Sequence, residues 1–219
     1  LDGLFYQSNF GIVTKIGLWL TPEPEVFNFF FARLERDEDL APFIDRMRPL
    51  RLAGIVQSAV HIGNDYRVFS SRGRYPWEET DGVTPLPQDV RLRLRKLYGL
   101  GAWNVGGALS GTRAHMRASR RAVKRAFQGL CDVRFVTATQ LEWAGRLFDF
   151  LSTFGIARKT ANMIASAKPV LDAARGIPDA QPVRGTYWRL RTEPAPEVND
   201  PLVAGAGLMW ASPVLPMRG

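Results

Sequence analysis

The sequence predicts an α+β domain in which an antiparallel sheet is covered by helices on one face. Three observations predict it. Strand, helix and strand follow one another twice in series between residues 26 and 136. The strand candidates are short apolar runs, and the helix candidates carry apolar residues at helical spacing. Polar or glycine-bearing connections separate them. Two such β-α-β units suggest a ferredoxin-like layer. No sequence repeat joins the two units, so the assignment rests on element order.

The elements can be justified in turn. Asp2, Gly3, Ser8 and Asn9 are turn residues, and Gly11 opens a run at 12–20 that alternates roughly between apolar and small or polar residues, as on a half-buried strand. Glycine at a strand's start lets another backbone or a ligand come close. Pro22 and Pro24 end this run, since proline cannot donate to a ladder. Val26–Leu34, with Phe27, Phe29, Phe30 and Phe31, reads as a buried strand. Residues 36–39 form a polar turn able to cap a helix that begins near Leu40, carries Leu40, Phe43, Ile44 and Met47, and is limited by Pro49. Residues 55–62 read as the next strand.

A polar stretch at 63–74 has room for a helical turn or two, and 75–87 reads as a long loop. Gln88–Tyr98 is a helix with Val90, Leu94 and Leu97 on one face, stopped by Gly99 and Gly101. Residues 102–110 form a small-residue strand, Thr112 caps a helix running to about Gln128, and 132–136 is the following strand. Helical stretches are expected at 141–154 and 157–175, irregular chain at 176–201, and a strand at 205–213.

Composition bounds the function classes. Hydrophobic residues make up 46% and charged residues 23% of 219 residues, as in a soluble globular protein. No apolar run reaches the length of a membrane span, and no membrane partner is expected. A single cysteine allows no internal disulfide, and with two histidines no zinc-type cluster or other metal site is expected. No signal-peptide pattern is present and the first residue is Leu1, so the chain is expected to start mid-protein. Nothing chooses between cytoplasm and periplasm.

The net charge of +8 admits nucleic acid, an anionic cofactor or an acidic partner, or marks one half of a protein whose other half is acidic; the last is preferred. Arg113, Arg117, Arg121, Lys124 and Arg125 share one helix face, opposite Met116, Val123, Phe127 and Leu130. That face is either a phosphate-binding stripe or, the preferred reading, a solvated one. No aromatic is interleaved on it, which argues against single-stranded nucleic acid. His61 closes a strand beside a polar loop, where a substrate-facing role is open to it; His115 reads as solvated and Glu78 and Glu79 as loop surface. Cys131 reads as a small buried residue.

The opening residues also carry a resemblance. Gly3-Leu-Phe-Tyr-Gln-Ser-Asn-Phe-Gly-Ile-Val-Thr-Lys-Ile-Gly-Leu-Trp-Leu20 resembles the flavin-binding segment of the vanillyl-alcohol oxidase and 4-cresol dehydrogenase (methylhydroxylase) family. Arg48-Pro-Leu-Arg-Leu52, Leu100-Gly-Ala-Trp-Asn-Val-Gly-Gly-Ala-Leu109, Gly176-Ile-Pro178 and Gly205-Ala-Gly-Leu-Met-Trp-Ala-Ser-Pro213 are similar to later segments of the same family. Gly207 departs from it, standing where the family's pattern has His.

The resemblance implies that residues 1–22 end an FAD-binding domain and that 23–219 are part of a substrate-binding cap. It implies an FAD-dependent oxidoreductase that oxidises a small phenolic substrate and passes electrons to oxygen or to a cytochrome. Flavin contacts would come from Ser8, Asn9, Gly11, Ile12, Val13 and Thr14, through main-chain groups on the glycine-opened run; otherwise that run only packs a domain junction. His61 and Trp210 would line the substrate pocket, with Trp19 and Trp103 packing the cap. No residue matches a catalytic position of the family, so these residues alone are expected to be inactive. The competing expectation is a non-catalytic interaction domain whose basic helix holds an acidic partner or RNA. Self-association is expected as well, because apolar strands such as 203–210 would lose a neighbour.

Overall fold

The computed structural model describes residues 11–19, 22–137, 140 and 187–192. Strand β1 is Val26–Leu34, followed by a 3-10 turn at Asp37–Asp39 and helix α1 at Leu40–Leu52. Strand β2 is His61–Asn64, α2 is Asp65–Arg72 and α3 is Gln88–Tyr98. Strand β3 is Trp103–Gly111, α4 is Arg113–Phe127 and β4 is Val133–Thr137.

The strands lie in the order β2-β3-β1-β4 with every ladder antiparallel. Strands β1 and β2 are both antiparallel to β3, so they run parallel with β3 between them. Strands β3 and β4 are parallel with β1 between them, by the same logic. The two β-α-β units therefore interleave, and the expected ferredoxin-like α+β layer is what forms. Helices α2 and α3 are inserted between β2 and β3.

The period of two explains β1. Phe30, Ala32 and Leu34 point to one face and join Phe43 and Met47 of α1, Met116, Val123 and Phe127 of α4, and Val105, Leu109 and Val133 of the sheet. Phe43 and Phe127 stack with ring centroids 4.4 Å apart. Each such ring contributes roughly 1.5–3 kcal/mol on burial. Gly107 sits opposite Phe30, and a Cβ there would come within 2.5 Å of the ring, so glycine lets the phenyl lie on the β3 backbone. On the other face Phe29 and Ala108 are buried with Phe27 against them. A second cluster joins Phe69, Tyr75, Leu86, Val90 and Leu94, with Trp188 packed on it.

Several expectations hold closely. Val26–Leu34 and Gln88–Tyr98 have the expected limits, and Gly99 closes α3 with a left-handed φ of 65°. Thr112 caps α4, its Oγ1 accepting from the His115 N–H at 3.3 Å. Others are corrected. Helix α1 continues through Pro49 to Leu52, because burial of Leu50 outweighs the one hydrogen bond that proline removes. The strand expected at 55–62 begins only at His61; the N–H groups of Ile55 and Val56 donate instead to the Leu50 carbonyl, closing α1. Leu97 is 59% exposed, since α3 turns Arg91 and Arg95 inward beside Val90 and Leu94.

Residues 11–19 carry no ladder, and the strand expected at 12–20 is not formed. The alternation needs a partner strand, and β1 to β4 pair only with one another. Trp19 is fully exposed rather than packed in a core. Trp103 is half-buried against the core, its Nε1 donating to Asp37 Oδ1 at 3.0 Å. The elements expected at 141–154, 157–175 and 205–213 lie outside the described residues.

Candidate functional site

Gly11, Ile12, Val13 and Thr14 are exposed, with Ile12 at 92%. Ser8 and Asn9 lie outside the described residues. No hydrogen bond joins the main chain of 11–19 to any described residue. Its N–H and C=O groups are therefore unpaired among these residues, as a strand must be if it is to bond to the edge of a planar ring. These groups are free to bond to a ring edge or to another strand alike. They do not enclose a dinucleotide, because nothing described stands opposite them.

His61 is the first residue of β2, exposed, and opposite Gly106 of β3. No hydrogen bond or ion pair links it to residues 11–14 among those described. Trp210 lies outside the described residues. The structure thus describes five of the eight expected site residues and does not show them gathered. No group of three or more His, Cys, Asp or Glu side chains suited to a metal occurs among the described residues. No described helix is long and apolar enough to cross a membrane.

One charged centre was not expected. Asp65 is wholly buried at the first turn of α2, just after Asn64, whose side chain accepts from the Arg67 N–H at 2.9 Å and caps the helix. The Asp65 carboxylate accepts from the Tyr66 N–H at 2.9 Å, from Arg91 Nε at 2.6 Å and Nη2 at 3.0 Å, and from Arg95 Nε. Four donors thus serve one carboxylate, near the limit of what it can accept. Burial alone pushes this carboxyl up. The hydrogen bonds from Arg91 and Arg95, with their charges, outweigh burial and hold it below the usual carboxylate range.

Arg91 also lies 4.8 Å from the centre of the Tyr66 ring, and the Asp65 N–H donates to the Ala102 carbonyl. The centre therefore ties α2 to α3 and to the chain entering β3. Its sequence signal is weak: Arg91 and Arg95 stand four apart on a helix, off the face of Val90, Leu94 and Leu97, with nothing local to mark them as buried.

The Cys131 thiol, expected to be buried, is only half-buried. Burial first, and then Asp132, push it up to about 11, so it is no nucleophile near neutral pH. His115 is exposed on α4, and Glu79 pairs with Arg93 in the surface loop.

No family model matches the chain. Over its whole length it is 33% identical to the 1'-carboxy-chondrochloren decarboxylase of Chondromyces crocatus, covering 40% of that protein. It is 30% identical to the 4-cresol dehydrogenase (hydroxylating) flavoprotein subunit of Pseudomonas putida, covering 36% of it. Among solved structures, p-cresol methylhydroxylase with substrate bound matches with a TM-score of 0.61 and 28% identity, over 86% of this chain and 33% of that one. The 4-ethylphenol oxidase from Gulosibacter chungangensis, in complex with isoeugenol, shares the fold with a TM-score of 0.64 at 23% identity, over 85% of this chain and 33% of that one. The chain thus spans 36–40% of the length of these curated relatives. Over its whole length the chain is thus similar to FAD-linked oxidases of the vanillyl-alcohol oxidase and 4-cresol dehydrogenase (methylhydroxylase) type, and it shares the fold of the part of them that it spans.

Proposed function

We propose that the chain is part of the substrate cap of an FAD-dependent oxidoreductase that oxidises a small phenol at its benzylic carbon. The similarity to the 4-cresol dehydrogenase flavoprotein subunit over the whole chain carries this reading. Bound FAD would supply the hydride acceptor. Loss of the phenolic proton with the benzylic hydride leaves a quinone methide, to which water can add.

These residues contribute position and exclusion of water. In this reading 1–22 close the flavin-binding domain and 23–219 belong to the cap. Unpaired main-chain groups of Gly11, Ile12, Val13 and Thr14, with Ser8 and Asn9 before them, contact the flavin edge. His61 and Trp210 face the substrate. Oxygen or a cytochrome takes the electrons. The similarity to a decarboxylase favours a second reading of the same site, in which a carboxylate on the substrate leaves as CO2.

The test uses the protein expressed with whatever coding sequence flanks these 219 residues, loaded with FAD. Anaerobic mixing with 4-cresol should bleach the flavin absorbance, while the 219 residues alone should retain no flavin once free FAD is removed by gel filtration. An unchanged spectrum with 4-cresol and with para-alkyl and para-carboxymethyl phenols overturns the reading. Bleaching only by the carboxylated phenol, with release of CO2, selects the decarboxylase reading. Tight FAD binding by the 219 residues alone overturns the division into domains.

A further inference from the structure

At residues 187–192 the chain returns, from well beyond β4, to the insert formed by α2 and α3. The Tyr75 N–H donates to the Trp188 carbonyl at 2.6 Å, Arg74 Nη1 to the Arg191 carbonyl at 2.6 Å, and Trp77 Nε1 to the Leu190 carbonyl at 3.2 Å. The Arg191 guanidinium lies over the Trp77 ring at 4.5 Å, and the Tyr75 and Trp188 rings meet edge to face with centroids 5.5 Å apart. Residues 74–77 thus hold this strap by three of its carbonyls, which fixes Trp188 against the insert.

Trp188 forms one wall of a cavity of about 210 Å³. Tyr98, Leu97 and Pro76 form the others, with the buried Phe69 and Leu94 behind them. This is where Leu97, left exposed by the inward turn of Arg91 and Arg95, finds its surroundings. Arg72 lies 5.3 Å from the centre of the Tyr98 ring and steadies it. Gly73 leaves room at the edge, since a Cβ there would meet nothing within 4 Å. The charged side chains of the lining are Arg74, which donates to the Arg191 carbonyl, and Glu79, which pairs with Arg93.

We propose that this cavity binds an uncharged aromatic molecule of a single ring that carries a hydroxyl group. Its volume lies below the roughly 300 Å³ at which sites for drug-sized ligands begin, which suits one ring rather than a fused pair. The Trp188 and Tyr98 rings offer the faces and edges that aromatic pairs prefer. Arg74 and Glu79 are of opposite sign and both already have partners, so a charged ligand would lose its water without gaining a counter-charge of its own. The Glu79 carboxylate has acceptor positions beyond those that Arg93 takes, and one of them can accept the ligand's O–H. None of the residues given above to the flavin or to the oxidised substrate lines this cavity, so the two assignments stand or fall separately.

The probe is 4-fluorophenol, which has no benzylic carbon to oxidise. The readout is the indole N–H resonance of Trp188 in the full protein grown with nitrogen-15-labelled tryptophan, assigned by its loss in Trp188→Phe. The resonance should shift saturably, with a dissociation constant of about 1 mM or below. Gly73→Phe fills the space, on a backbone whose φ of −178° suits any residue, and should weaken binding at least tenfold. Leu92→Ser, at an exposed α3 position outside the lining, should change it less than twofold. The charged 4-fluorobenzoate and the non-aromatic cyclohexanol should each bind at least tenfold more weakly than 4-fluorophenol. Circular dichroism establishes that each variant is folded, and Leu97→Glu serves if Gly73→Phe is not. No saturable shift up to about 20 mM, an undiminished shift in the folded cavity variant, or equal binding of 4-fluorobenzoate or cyclohexanol would each overturn the proposal.

Discussion

Replacing Asp65 by Asn probes the buried charge centre directly. Asp65 has no exposure, and the side chains of Arg91 and Arg95 are only 22% and 16% exposed. The substitution leaves two guanidinium groups without their shared counter-charge and turns an amide donor toward one of them. Breaking a buried ion pair by removing one partner costs about 3–5 kcal/mol. Here the lower end applies, about 3 kcal/mol, because the remaining charges can reach water through that residual exposure. For a chain of this size, that lowers the melting temperature by roughly 6–12 °C.

The sign of the pH dependence follows from the same geometry. The folded carboxyl is held below its unfolded value, so its contribution is complete above about pH 4 and is lost as pH falls through the folded value. Asp65→Asn should therefore flatten the loss of stability as the pH falls below about 4. Urea melts across that range measure both effects. The triple replacement Asp65→Leu/Arg91→Met/Arg95→Met separates charge from shape, and should recover most of the loss. A stability change below about 1 kcal/mol in Asp65→Asn, or a triple variant as weak as the single one, would refute the reasoning.

Two further outcomes are expected from the core and from the Cys131 thiol. Gly107→Ala drives a methyl into the Phe30 ring at 2.5 Å and should cost about 1–3 kcal/mol, read by urea denaturation; no change would mean that Phe30 repacks freely. Cys131, with its thiol pushed up to about 11, should react with iodoacetamide at pH 7.5 about a hundredfold more slowly than an ordinary thiol, and a normal rate would contradict its burial.

Legibility in the sequence tracked how local the determining contacts are. Val26–Leu34 was readable because prolines precede it and four phenylalanines fill it, and Gln88–Tyr98 because a left-handed glycine ends it. The interleaving of β1 and β3 follows from element order alone. The Asp65 centre was not readable, since its partners lie 26 and 30 residues away and each looks like ordinary helix surface. Pro49 and residues 55–60 misled because one apolar residue, Leu50, decides both: its burial carries α1 past proline, and its carbonyl captures the N–H groups that a strand would have used. The candidate flavin segment was legible as a pattern but not as a structure, for alternation specifies a buried face without supplying what buries it.

Ile12, Ile16, Leu18 and Trp19 are each at least 70% exposed, on a segment with no partner strand among those described. Full burial of such side chains contributes roughly 1.5–3 kcal/mol each, so covering the four yields about 6–12 kcal/mol before association entropy is set against it. That entropy is itself about 4–15 kcal/mol, so contact between two such segments gives weak association, in the micromolar range or above. We expect the isolated 219 residues to self-associate through this segment at high concentration. Ile12→Ser/Leu18→Ser/Trp19→Ser should raise the dissociation constant by more than tenfold in sedimentation velocity. A monomeric parent would refute the prediction outright. An unchanged oligomer in the triple variant would place the contact elsewhere, and would remove the physical reason for treating these side chains as a face awaiting a partner.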